Sequence, residues 1–177
     1  MAGDSRVYTE GGGYHTSALP KVWRKRAGKH WVGFGFSGDG CYHARMLYEL
    51  NPPPQRSGES VGDWLFGVFE RATEIYLSTT RKPLPARKDQ AAAPDDEGDD
   101  GWLMLCCFRG HISYFDSVGE FDVVGGEYAA VGCGSQAAEG YLASVVGDEA
   151  SLLAENAVKT ACKVNLFCGE PIVKVEV

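Results

Sequence analysis

The chain lacks any run of about 18 apolar residues, the length a membrane-crossing helix needs, and its first residues carry no basic-then-apolar leader. It also lacks an excess of positive charge. Seventeen Lys and Arg stand against 24 Asp and Glu, a net charge of −7 with a pI near 5.1, whereas a nucleic-acid footprint needs a basic face or stripe. Cys-x-x-Cys is absent, and His15, His30, His43 and His111 stand apart without metal-ligand spacing, so no metal and no cofactor are expected. These gaps lead to the expectation of a soluble, cytoplasmic protein that contacts neither membrane nor nucleic acid.

What remains is an ordinary globular composition, 44% hydrophobic and 23% charged over 177 residues, which suits one domain spanning residues 1–177. Cys41, Cys106, Cys107, Cys133, Cys162 and Cys168 fall in hydrophobic or helical segments, and a chain of this size folds without staples, so they are read as reduced and mostly buried. The one basic run, Lys21 to Lys29, reads as a solvated hairpin, Lys21 itself apart.

Along the chain, a strand is expected at residues 29–36 and a turn at Gly38-Asp39-Gly40. A short helix follows whose inner face is Ala44, Met46, Leu47, Tyr48 and Leu50, stopped by Asn51-Pro52-Pro53-Pro54. Ser60 and Asp63 form a capping-box-like start. Val61, Trp64, Leu65, Val68, Phe69, Ala72, Ile75 and Tyr76 then recur at the three-and-four spacing of an amphipathic helix.

Residues 81–101 turn polar and acidic with Pro and Gly, the composition of an exposed loop with nothing to bury. Asp95 to Asp100 lack the ligand spacing of a calcium loop. Trp102 to Phe108 and Ile112 to Phe115 read as a hairpin buried on both faces. Gly132-Cys133-Gly134, taken to follow a strand, gives a weak G-x-G-x-x-A, but a second helix (Leu152, Leu153, Ala157, Ala161) follows in place of a strand and an acidic residue, which excludes a dinucleotide fold. Val173 to Val177 alternates as a closing strand.

The order of these pieces carries more than any one of them. Ala2-Gly3-Asp4, the Gly11-Gly12-Gly13 hairpin, Lys21-Val22-Trp23-Arg24, the strand His30 to Gly38, two helices, two apolar strands, and Tyr128 to Ser135 opening another helix together resemble the proteasome β-subunit and HslV family of N-terminal nucleophile hydrolases over nearly the whole length. The resemblance implies an α+β fold, a four-layer αββα sandwich. It also implies a mechanism in which an N-terminal threonine attacks the scissile carbonyl, its own α-amino group acts as base, and a lysine held by an aspartate tunes both. An α-amino group, with an ordinary pKa of about 7.7–8.0, accepts a proton near neutrality where a lysine does not.

The family's aspartate and lysine fall on Asp4 and Lys21, and Gly38 is the candidate oxyanion amide donor. On that alignment the first strand and its threonine, about a dozen residues, would lie upstream of Met1. Where the family carries a serine in Gly-Ser-Gly this chain has Cys133, and where it often carries a supporting aspartate it has Lys163, a second cation expected near Lys21.

Three expectations follow. The chain is a catalytically silent subunit of a homo-oligomeric ring or particle, with an ATPase or particle proteins as possible partners by resemblance. Alternatively it is an active threonine-type peptidase whose genuine terminus lies upstream, or a structural or adaptor component, for example viral, built on the same fold. Without the resemblance, Asp4 and Lys21 read as a plain ion pair on neighbouring strands.

Overall fold

The computed structural model describes residues 1–4, 6–9, 13–38, 40–80, 102–145, 147 and 149–177. The acidic loop anticipated at 81–101, Asp39 of the anticipated turn, and Gly11 and Gly12 of the anticipated hairpin lie outside the described residues.

A five-stranded antiparallel sheet forms the centre, in the order β4 (Val22–Ala27), β5 (His30–Ser37), β6 (Leu103–Phe108), β7 (His111–Asp116) and β8 (Phe121–Val123). Period-two alternation divides its residues between two faces. Trp23, Val32, Phe34, Phe36, Met104, Cys106, Phe108 and Phe115 point one way, into a core shared with α1 (Gly40–Glu49) and α2 (Val61–Thr80). Every residue of the α2 stripe expected from spacing packs in or against that core. Its start is the capping box that Ser60 and Asp63 announce: the Asp63 amide donates to Ser60 Oγ at 3.0 Å, and that hydroxyl donates to Asp63 Oδ2 at 2.6 Å.

In α1 the inward face differs from the expected one. His43, Met46 and Leu50 are buried, while Tyr48 is 68% exposed. Spacing of three and four from Met46 selects 43 and 50, which turns Tyr48 to the outside.

The second face of the sheet meets a narrower layer. β1 (Ala2–Gly3) pairs antiparallel with β9 (Val173–Lys174), and the pairing continues one step through reciprocal bonds, Met1 N to Val175 O at 2.8 Å and Val175 N to Met1 O at 3.0 Å. The closing strand is therefore shorter than the 173–177 alternation suggested. β2 (Arg6–Thr9) and β3 (Gly13–Thr16) pair as a separate hairpin. Glycines of β5 let the thin layer approach: a Cβ on Gly33 would sit 2.7 Å from Met1 Sδ and 2.9 Å from Val177, and one on Gly35 would sit 3.2 Å from Met1 Cε.

Outside β1 and β9 lie α3 (Ser135–Ser144) and α4 (Ala150–Val164), which completes the sequence helices, sheet, sheet, helices. The chain thus has the expected four-layer order, with a third layer that is two strands wide among the described residues. Glu155 of α4 accepts from Lys159 and from Lys174 of β9, which joins the third and fourth layers; these two ammonium groups hold its carboxylate down at about 2.

Two further expectations change. No strand leads directly into Gly132-Cys133-Gly134: β8 ends at Val123, and residues 124–134 are irregular. The cysteines are not mostly buried: Cys106 and Cys168 are, Cys107 and Cys162 are half-buried, and Cys41 and Cys133 are exposed. The basic β4–β5 hairpin is solvated as expected, with Arg24 and Arg26 each 4.5 Å from the Trp31 ring. Among the described residues no helix is long and apolar enough to cross a membrane.

Candidate functional site

Just after β1, Asp4 Oδ1 accepts the Arg6 amide at 2.9 Å. Lys21 sits just before β4, its carbonyl held by the Phe36 amide at 2.9 Å. These anchors bring the two side chains together. Lys21 Nζ lies 3.2 Å from each Asp4 oxygen, and the side chains are 24% and 15% exposed. A pair this sheltered keeps more of its attraction than a fully solvated one.

The pair lies at one end of a cavity of about 720 Å³ between the second face of the sheet and α3 and α4. Gly35, Leu105, Cys107 and Ile112 form the sheet wall, residues 127–135 form a rim, and small residues of α4 such as Ala154 and Ala157 form the helical wall. Glycine and alanine at these positions leave room that larger side chains would fill.

Gly38, the third residue expected at the site, follows β5 with φ of +139°, a conformation that disfavours any side chain. The cavity wall there is formed by Ser37, one residue earlier. Gly132 faces Ser37: with φ of +95° it turns the rim, and a Cβ would fall 2.9 Å from Ser37 Oγ.

Thiols surround the ion pair to a degree that local sequence did not reveal. Lys163 is exposed in the last turn of α4, and it is its neighbour Cys162 whose thiol feels the charges of Asp4 and Lys21; burial, first among the causes, pushes that thiol up. Cys133 is exposed, and its Sγ faces Cys168 Sγ at 3.6 Å. Burial, then the hydrogen bond and the charge of Cys133, push the Cys168 thiol up to about 12. Asn165 Nδ2 donates to the Cys133 carbonyl at 2.6 Å, and Arg6 Nη1 donates to the Leu166 carbonyl at 2.8 Å, so the turn after α4 is tied to both the rim and Arg6.

His43 supports the site from the opposite side of the sheet. Its Nε2 meets the Pro20 carbonyl at 3.0 Å, one residue before Lys21, and its ring stacks on Phe36 at 5.1 Å. Burial lowers its pKa, the Pro20 carbonyl opposes that, and the Lys21 charge lowers it further. A lone histidine in a helix gave no sequence signal for this role; only the fold brings residues 20 and 43 together. Among the described residues no group of three or more His, Cys, Asp or Glu is placed to hold a metal ion.

No protein-family model matches the chain, and no curated protein matches it in sequence. Solved structures do match. Eukaryotic HslV from Trypanosoma brucei superposes with a TM-score of 0.61 at 17% identity, covering 97% of this chain and 88% of that one. BPH from Thiobacillus denitrificans, in complex with Epoxomicin, gives 0.66 at 15% identity with the same coverage. The helical assembly of the Anbu complex from Pseudomonas aeruginosa gives 0.58 at 15% identity, covering 97% of this chain and 73% of that one. Similarity that covers 97% of this chain, at identities too low to carry an activity, establishes that the chain shares its fold with HslV, BPH and Anbu.

Proposed function

We propose that the chain is a proteasome-like subunit of a self-assembling ring or particle, and that it is catalytically silent. The observation that carries the reading is the state of the site. Asp4 and Lys21 stand as a closed ion pair, while the position that the resemblance gives to a supporting serine is a cysteine whose sulfur faces another cysteine.

Assembly is supported by the surface. Val164, Leu166 and Phe167 follow one another at the end of α4 with exposures of 70%, 75% and 45%, an apolar group that burial against a neighbouring subunit would stabilise. The structural neighbours include a helical assembly, which gives the same direction. An ATPase or other particle proteins would then be partners of the assembled form rather than of the single subunit.

A second reading, an active threonine-type peptidase with its processed terminus upstream of Met1, is favoured by the cavity beside Asp4 and Lys21, which has room for a further extended segment. One experiment separates the two. The native protein is sized by light scattering and electron microscopy, its first residue is sequenced chemically, and it is challenged with fluorogenic peptides. The expected result is a multi-subunit particle without turnover. A monomer at all concentrations would refute assembly, and turnover lost on Lys21→Ala would refute silence.

A further inference from the structure

We propose that Cys133 and Cys168 form a reversible disulfide, a thiol latch that fastens the turn before α3 to the segment joining α4 and β9. The two sulfurs are 3.6 Å apart, and a bond of about 2.05 Å needs only a modest side-chain movement. The backbone is already in place for it. Gly134 passes so close that a Cβ there would lie 2.6 Å from Cys168 Sγ and 2.8 Å from Ala161 Cβ, and the Asn165 bond to the Cys133 carbonyl holds the turn on the same side.

The two thiols differ in access, as entry and resolving groups do. Cys133 is exposed and open to an oxidant, whereas Cys168 is 4% exposed and sheltered from one. With a low-molecular-weight disulfide, the Cys133 thiolate attacks one sulfur and releases one thiolate. Cys168 then attacks the Cys133 sulfur, forms the internal bond and releases the second. The protein's two thiols are oxidised, the small disulfide is reduced, and the two protons end on the two released thiols. Burial, the largest cause of the raised Cys168 thiol, remains after Cys133 is capped, while the hydrogen bond and charge of Cys133 that add to it are removed. In a reducing compartment such a pair stays open until the redox balance shifts.

The latch would act on the neighbourhood of Asp4 and Lys21. Its two ends are the cavity rim and the segment leading into β9, the strand that pairs with β1 just before Asp4.

The test incubates the full-length protein in oxidised and reduced glutathione at graded ratios, then alkylates, digests and maps linked peptides by mass spectrometry. Expected is a Cys133–Cys168 linked peptide, reversed by dithiothreitol, with free thiols falling by two in the wild type and in Cys41→Ser. Hydrogen exchange across residues 132–135 slows by about tenfold or more. Cys133→Ser abolishes the link and retains the far-ultraviolet spectrum. The proposal is overturned by a stable glutathione adduct on Cys133 that never closes, by a link through Cys162, or by dimers joined through Cys41 alone.

Discussion

The two faces of the central sheet are built to different densities. On the α1 and α2 side, Trp64 stacks on Phe108 at 3.8 Å and donates Nε1 to the Pro53 carbonyl at 2.9 Å, and Phe34, Phe36, Trp102 and Phe115 leave almost nothing exposed. On the α3 and α4 side the same strands present Gly33, Gly35, Leu105 and Cys107, and a cavity of about 720 Å³ remains. One face holds the fold together. The other gives up packing to make room for the site, because a space of this kind forfeits the dispersion contacts its lining would otherwise make.

Truncation should separate the faces most sharply. Trp64→Ala is expected to cost about 3–5 kcal/mol, since it removes a fully buried ring and strands the Pro53 carbonyl. Leu105→Ala, beside space that already exists, should cost about 2 kcal/mol, the low end for leucine. Urea unfolding of both variants decides; equal losses would mean that the cavity side is as tightly packed as the core.

A milder perturbation addresses the thin layer. Gly33→Val pushes a side chain into Met1 and Val177 and is expected to cost about 1–3 kcal/mol by overpacking. Hydrogen exchange should rise in residues 1–3 and 173–175 while α2 stays protected. Loosening of α2 as well would show that the two faces are not independent.

The smallest effect expected is one of pH. His43 has a lowered pKa in the folded chain, so the unfolded chain binds its proton more readily. Its contribution is complete above the ordinary value of 6.5 and is lost as pH falls through the folded value. Melting temperature should therefore decline on acidification below about pH 6.5, and His43→Gln should flatten that part of the profile. An unchanged slope in the variant would assign the decline to other groups.

The packed face was the legible one. Periodicity named each inward-facing apolar residue of α2 and left out the exposed Phe66 and Leu77, the prolines after Asn51 stopped α1, and the capping box marked where α2 begins, since all three are local signals. Tyr48 was misplaced because a ten-residue helix with apolar residues all round does not state which of them face inward. Asp4 and Lys21 were reachable only through the order of distant motifs. The pairing of Cys133 with Cys168, and of Pro20 with His43, depends on contacts between segments that no window of sequence contains. The strand expected immediately before Gly132 is replaced by irregular backbone over residues 124–134, in which the Ala130 amide donates to the Glu139 carboxylate of α3.

The antiparallel pairing of Ala2 with Lys174 and Gly3 with Val173 joins residues separated by almost the entire chain. During synthesis the aromatic half can close early, whereas the segment that presents Asp4 to Lys21 stays without its supporting strand until residues 173–175 have emerged. Asp4 is thus held by a partner strand that lies far from it in sequence, and its placement beside Lys21 depends on that distant pairing.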